Sequence, residues 1–119
     1  MSGPRTVLSY SDDRGRQPVR ECLDEPARSR SGEYGAMRHG IDLLERFGVL
    51  LEEPHTRRLS GKLRELRAGP WRITYFADPR RRLVLLTSFR KTSRRTDPSE
   101  IRRGLRLMED RLGRMEGGR

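Results

Sequence analysis

Any chemistry this sequence performs has to be built around arginine. Of its 27 cationic side chains, 25 are arginines and only Lys62 and Lys91 are lysines, against 17 carboxylates. Other reactive side chains are few: one cysteine, Cys22, and two histidines, His39 and His55. One thiol forms no internal disulfide and gives zinc no cluster. The histidines lie sixteen residues apart without a cysteine partner or an H-E-x-x-H arrangement, so no metal site is expected. No G-x-x-x-x-G-K-[ST] loop, G-x-S-x-G elbow or dinucleotide fingerprint occurs, so nucleotide-driven work is not expected either. The expected chemistry is metal-free and cofactor-free, carried by cations.

Those cations are concentrated. Residues 1–56 hold 8 cations and 10 anions, residues 57–97 hold 13 and 3, and residues 98–119 hold 6 and 4. The central block thus carries a surplus equal to the whole net charge of +10. A guanidinium grips phosphate with a planar fork, and such a block points to a polyanionic partner, nucleic acid ahead of membrane. Two segments stand out. Leu63–Arg67 followed by Trp71–Tyr75 places Arg67 and Arg72 on neighbouring antiparallel strands. Arg72 then belongs on the face opposite Trp71, Ile73 and Tyr75, because a guanidinium turned into the core is costly. The run Phe89–Thr96 holds Arg90, Lys91, Arg94 and Arg95 and leads into a helix start, a corner suited to phosphate. His55 enters the same basic region and is its one imidazole, whereas His39 sits within a helical stretch as a structural residue.

The elements that position these residues follow from periodicity. Thr6–Tyr10 reads as an opening strand. Val19, Cys22 and Leu23 recur at helical spacing after Pro18, and Pro26 stops that run. From Glu33 onward Met37, Ile41, Leu44, Phe47 and Leu51 form the apolar stripe of a longer helix, weakened at Gly40 and Gly48. Beyond Pro54 the period drops to two, giving strands over Lys62–Ala68, Trp71–Ala77 and Leu83–Phe89, the last the most buried. Asp97-Pro98-Ser99-Glu100 is a helix start with Asp as N-cap and Pro at the first position. Ile101, Leu105, Met108 and Leu112 line that helix, which is expected to end at Gly113. The fold class is α+β: a small antiparallel sheet, the N-terminal strand plus a three-strand meander, with helices packed on one face and the cations on the free second face or its rim. Length fits a single domain with its core over about residues 6–112, residues 1–5 and 113–119 being flexible. No apolar run reaches the roughly 20 residues of a membrane span, and the N-terminus lacks a signal core, so a cytoplasmic location is expected.

In this order and spacing, Leu63–Arg67, Trp71–Phe76, Leu83–Thr92 and Glu100-Ile101 resemble the RelE/ParE toxin superfamily, most closely its HigB-like, phage-derived branch. Asp12–Val19 and Leu43–Gly48 extend the likeness to roughly residues 6–112. The sequence departs from the branch at Thr92, where a second lysine is usual, at Asp97, where proline is common, and at Gly104, where alanine is usual. The resemblance implies a RelE-like fold and the toxin of a type II toxin–antitoxin pair. It implies an endoribonuclease, an mRNA interferase that cuts mRNA on the ribosome and so inhibits translation. Arg72 would then match the strand arginine placed at the scissile phosphate, and Phe89-Arg90-Lys91 the segment leaving the last strand.

Metal-independent RNA cleavage uses the 2′-hydroxyl as nucleophile, and the protein must stabilise the phosphorane and move two protons. Arginine stabilises but stays protonated. That leaves Lys91, set among Arg90, Arg94 and Arg95, and His55 as candidate bases, Lys91 being preferred. The expected catalytic set is Arg72, Lys91, Arg90 and His55, with RNA contacts at Lys62, Arg64, Arg67, Arg94 and Arg95. Expected partners are a cognate antitoxin, forming a hetero-oligomer with the toxin, and the ribosome with its mRNA. The alternatives are a ParE-like toxin that inhibits DNA gyrase without cutting RNA, and a catalytically decayed nucleic-acid-binding module.

Overall fold

In a computed structural model, residues 6–117 are described; the expected flexibility of residues 1–5, 118 and 119 lies outside them. Strand β1 (Val7–Ser9) is followed by helices α1 (Pro18–Asp24), α2 (Pro26–Ser31) and α3 (Glu33–Phe47), a 3-10 turn (Gly48–Leu50), strands β2 (Thr56–Ser60), β3 (Leu63–Ala68), β4 (Trp71–Ala77) and β5 (Leu83–Arg90), and helix α4 (Pro98–Gly117). The α+β class and the β3–β4–β5 meander are as expected. The sheet has five strands in the order β1-β5-β4-β3-β2. The additional strand is β2, where Thr56-Arg57-Arg58-Leu59-Ser60 has too little apolar alternation to stand out. Strand β1 joins parallel to β5, pairing Val7 with Leu83 and Ser9 with Leu85.

Alternation in the strands divides the core. Trp71, Ile73 and Tyr75 of β4 and Leu83 and Leu85 of β5 form one cluster with Val19 and Leu23 of α1 and Met37, Ile41 and Leu44 of α3. This is the helical layer the sequence predicts. Gly40 has a positive role in it: a Cβ there would come within 3.1 Å of the Ala68 Cβ, so glycine lets α3 approach β3 closely. The intervening residues Phe76, Val84 and Leu86 point the other way and pack with Leu63, Tyr10 and Met108 of α4. The second face is therefore not left free as expected. Helix α4 covers one end of it, and only the end near the β3–β4 turn remains for the cations.

Pro26 ends α1 as expected, with Glu25 extended before it, and then opens a separate short helix, α2, where its missing N–H costs nothing. One local expectation is corrected. Helix α4 passes through Gly113 to Gly117. Arg114 holds that last stretch, pairing with Asp110 at 2.9 Å and stacking on the Tyr10 ring at 5.4 Å.

Candidate functional site

The turn between β3 and β4 builds the site. Gly69 there takes a φ of +62°, a conformation suited to glycine. The turn sets Arg67 directly opposite Arg72 and Ala68 opposite Trp71. Arg67 and Arg72 consequently share the face away from Trp71, Ile73 and Tyr75, as the sequence predicts. Next along that face come Glu65 and Thr74, paired across the same strands, and beyond them α4 closes over Leu63 and Phe76.

A cavity of about 110 Å³ lies at this end, lined by Arg72, Phe89, Arg90, Glu65 and Glu100 and walled by the loop Lys91–Asp97. Arg72 is half-buried, and one of its terminal nitrogens donates to the carbonyls of Gly69 at 3.0 Å and Trp71 at 2.9 Å. Its guanidinium is thereby fixed with its remaining donors unspent. Burial pulls its pKa below the ordinary guanidinium range, the nearby Glu65 carboxylate opposes that, and Arg67 adds to it. Glu65 is only 2% exposed and accepts a hydrogen bond from the Thr96 hydroxyl at 2.5 Å, which ties the loop to β3. Lys91 is exposed on the same wall, its N–H donating to the Pro70 carbonyl at 2.8 Å. Arg94 and Arg95 are exposed there as well.

The helix start expected to take phosphate is already occupied. Asp97 Oδ1 accepts from the Ser99 N–H at 2.8 Å and the Ser99 hydroxyl at 2.7 Å, bonds that hold its carboxyl below the usual range. An anion at this corner would therefore meet side-chain cations and no free helix amide.

The remaining expected residues are dispersed. Arg90 pairs with Trp71 in the ladder, on the opposite face from Phe89 and Arg72. Its guanidinium forms an ion pair with Glu33 of α3. The same carboxylate accepts from the Trp71 indole at 2.8 Å and from Arg28 at 3.2 Å, and Arg28 lies 4.5 Å over the indole ring. Arg90 thus anchors the end of β5 to the helical layer. His55 is exposed beside Arg67, whose N–H donates to the His55 carbonyl at 2.8 Å, and it does not line the cavity. Lys62 and Arg64 border a separate cleft with Val49, Leu51 and Tyr75, and Arg64 donates to the Thr56 hydroxyl at 3.0 Å. The cavity lining therefore gathers Arg72, Arg90, Lys91, Arg94 and Arg95, although the Arg90 guanidinium is paired with Glu33; Arg67 sits beside Arg72 in the ladder without lining the cavity, and His55, Lys62 and Arg64 lie outside it.

Glu65 is the residue the sequence reading missed. The signal for it was available: once Arg67 and Arg72 share a face, two-residue alternation puts Glu65 on that face too, as the one carboxylate of β3.

Residues 26–109 match the family described as phage-derived protein Gp49-like (DUF891). No curated protein matches the chain. The matched span runs from α2 into α4 and contains every residue of the cavity. The chain belongs to this Gp49-like family, a toxin-like family related to RelE and HigB, and that membership implies an antitoxin as partner. Among the described residues, no helix is long and apolar enough to cross a membrane.

Proposed function

We propose that this Gp49-like protein is the toxin of a type II toxin–antitoxin pair and acts as a ribosome-dependent mRNA endoribonuclease, with Arg72 at the scissile phosphate. The observation that carries the reading is the cavity itself: Arg72 in its lining with Arg67 paired beside it in the ladder, Lys91 on the loop wall, and the buried carboxylate of Glu65 between strand and loop. At about 110 Å³ it is well below the roughly 300 Å³ of the smallest ordinary ligand pockets. That size suits one phosphodiester group of a chain lying over the surface.

In the reaction, the 2′-oxygen attacks the adjacent phosphorus while the bond from phosphorus to the 5′-oxygen breaks. The products are a 2′,3′-cyclic phosphate and a 5′-hydroxyl. Arg72 and Arg67 stabilise the charge that develops on the phosphorane, an effect worth about 3–4 kcal/mol per well-placed donor. The 2′-hydroxyl proton passes to the Glu65 carboxylate, an acceptor when ionised. Lys91, whose ammonium only donates, supplies the proton that leaves with the 5′-oxygen, and solvent restores both groups. This assignment gives Lys91 the acid role in place of the expected base role, and leaves His55 outside the chemistry.

The test is brief induced expression followed by mapping of mRNA 5′ ends. Growth arrest with new ends inside translated frames is expected, lost in Arg72→Ala and reduced about 10²–10⁴-fold in Glu65→Gln. Arrest with intact mRNA refutes the nuclease reading and leaves gyrase inhibition in its place. No arrest from folded protein leaves a decayed binding module.

A further inference from the structure

We propose that a second basic cleft, between edge strand β2 and the start of α4, binds the nucleotides that flank the cleaved bond of a single-stranded RNA. This deepens the nuclease reading and rests on it. The cleft, about 610 Å³, takes Arg57, Arg58 and Leu59 from β2 and Pro98 and Ile101 from α4. Ser93, Arg95, Thr96 and Asp97 line it and the Arg72 cavity alike, so one loop forms the common wall of both.

The strand order fixes the relation between the two sites. Arg57 pairs with Glu65 and Glu65 with Thr74, so Arg57 lies on the Arg72 face, two strands away from β4. Two strand spacings are about 10 Å, the reach of a neighbouring phosphate and not of the scissile one. Arg57, Arg58 and Arg95 are exposed, and among the described residues none of the three has an ion pair. The single carboxylate of the cleft, Asp97, is already spent on Ser99. Unpaired cations on a surface of this kind hold a polyanion. The half-buried side chains of Leu59 and Ile101 add a small apolar strip on which a base can lie without hydrogen-bond readout. The Arg72 cavity is too small to enclose a nucleotide, so the strand must leave it along the surface, and the shared loop wall leads here. An acidic protein segment would find the same cations. Continuity with the cavity favours RNA.

The experiment measures binding without cleavage, using fluorescein-labelled 2′-O-methyl RNA, in which the attacking hydroxyl is blocked. A dinucleotide and a hexanucleotide are titrated against wild type and an Arg57→Ala/Arg58→Ala variant over a salt series. The salt slope is about −0.7 per phosphate contact on single strands, so the hexanucleotide slope should fall in magnitude by about 1.4 in the variant while the dinucleotide slope stays unchanged. Arg46→Ala, on the exposed face of α3, should change neither. Equal loss for both probes would mean a general charge effect and would overturn the proposal, as would an unchanged hexanucleotide slope. A polyglutamate peptide that binds wild type more tightly than the hexanucleotide, and loses that binding in the variant, would assign the cleft to an acidic protein and also overturn it. Where alanine disturbs the edge strand, Arg57→Gln/Arg58→Gln repeats the measurement with the side-chain length retained. Because no bond is cut, a positive result with inactive ribosome assays separates failure of the nuclease reading from failure of the subsite.

Discussion

Replacing Thr74 with valine should destabilise the protein far more than the same change at Thr87, although the two hydroxyls touch. Both residues are fully buried and their Oγ1 atoms lie 2.5 Å apart. The β4–β5 ladder shifts at this point: Thr74 pairs with Thr87 but Tyr75 pairs with Leu85, leaving Leu86 as an extra residue. The Thr87 N–H at this bulge donates to Thr74 Oγ1 at 3.1 Å. Thr74→Val therefore strands two buried polar groups, the Thr87 amide and the Thr87 hydroxyl, at about 1–3 kcal/mol each, or about 2–6 kcal/mol together. Thr87→Val leaves the amide bonded and strands one hydroxyl, costing about 1–3 kcal/mol. With a urea slope of about 1–3 kcal/mol/M, the Thr74→Val midpoint should fall by about 1–2 M, and the Thr87→Val midpoint by about half as much. The double variant should cost less than the sum of the singles, because one hydroxyl is removed along with the partner that satisfied it. Equal costs for the two single variants would refute the claim that the Thr74 hydroxyl holds the bulge amide.

Arg90→Ala should lower cleavage by less than about tenfold while Arg72→Ala lowers it by at least about 10²-fold, measured on ribosome-bound mRNA; the reverse order would place Arg90 at the phosphate. The Glu33 carboxyl is held below its ordinary value of 4.5, chiefly by the Trp71 indole hydrogen bond and then by Arg90 and Arg28. A lowered carboxyl contributes stability that is full above its unfolded pKa and lost as the pH falls through its folded one. Trp71 is the single tryptophan, so its fluorescence should report a transition below about pH 4.5 that Glu33→Gln lacks. The Tyr10 hydroxyl is pushed up to about 12 from 10.0, first by burial and then by its hydrogen bond to Asp110. With the folded pKa raised, that contribution is full below pH 10 and lost as the pH rises towards 12. Ultraviolet titration should show one tyrosine ionising late, and Asp110→Asn should bring it down.

The difference between what the sequence discloses and what it conceals turns on that same bulge. The pairing of Arg67 with Arg72 was legible because a short Gly69-Pro70 turn fixes the register between two alternating strands, and alternation then fixes their face. Helix α4 was legible at its start for a similarly local reason, since Asp97 needs only the amide of Ser99 to act as a cap. Strand β2 was not legible, because an edge strand with exposed Arg57 and Arg58 buries little and leaves no apolar rhythm. The layer formed by α4 was hidden as well. Leu83-Val84-Leu85-Leu86 reads as uniformly apolar, and a uniform run does not say that both faces are covered.

The roles of Arg90 and Lys91 could not be separated from the sequence, and here one inserted residue decides. With perfect alternation from Leu83, position 90 would fall on the Phe76 face and position 91 on the Trp71 face. The extra Leu86 reverses this parity. Arg90 is turned towards Glu33, and Phe89 comes to the Arg72 face with Lys91 on the wall of the same cavity. A bulge is set by tertiary hydrogen bonding, and the threonine pair that stabilises this one lies thirteen residues apart in the chain. Removing it should therefore exchange the surroundings of Arg90 and Lys91 as well as lower stability. In Thr74→Val protein that is still folded, cleavage should fall and the Trp71 fluorescence should lose its acid transition together. Loss of one without the other would show that the cavity and the Glu33 anchor are not set by a common register.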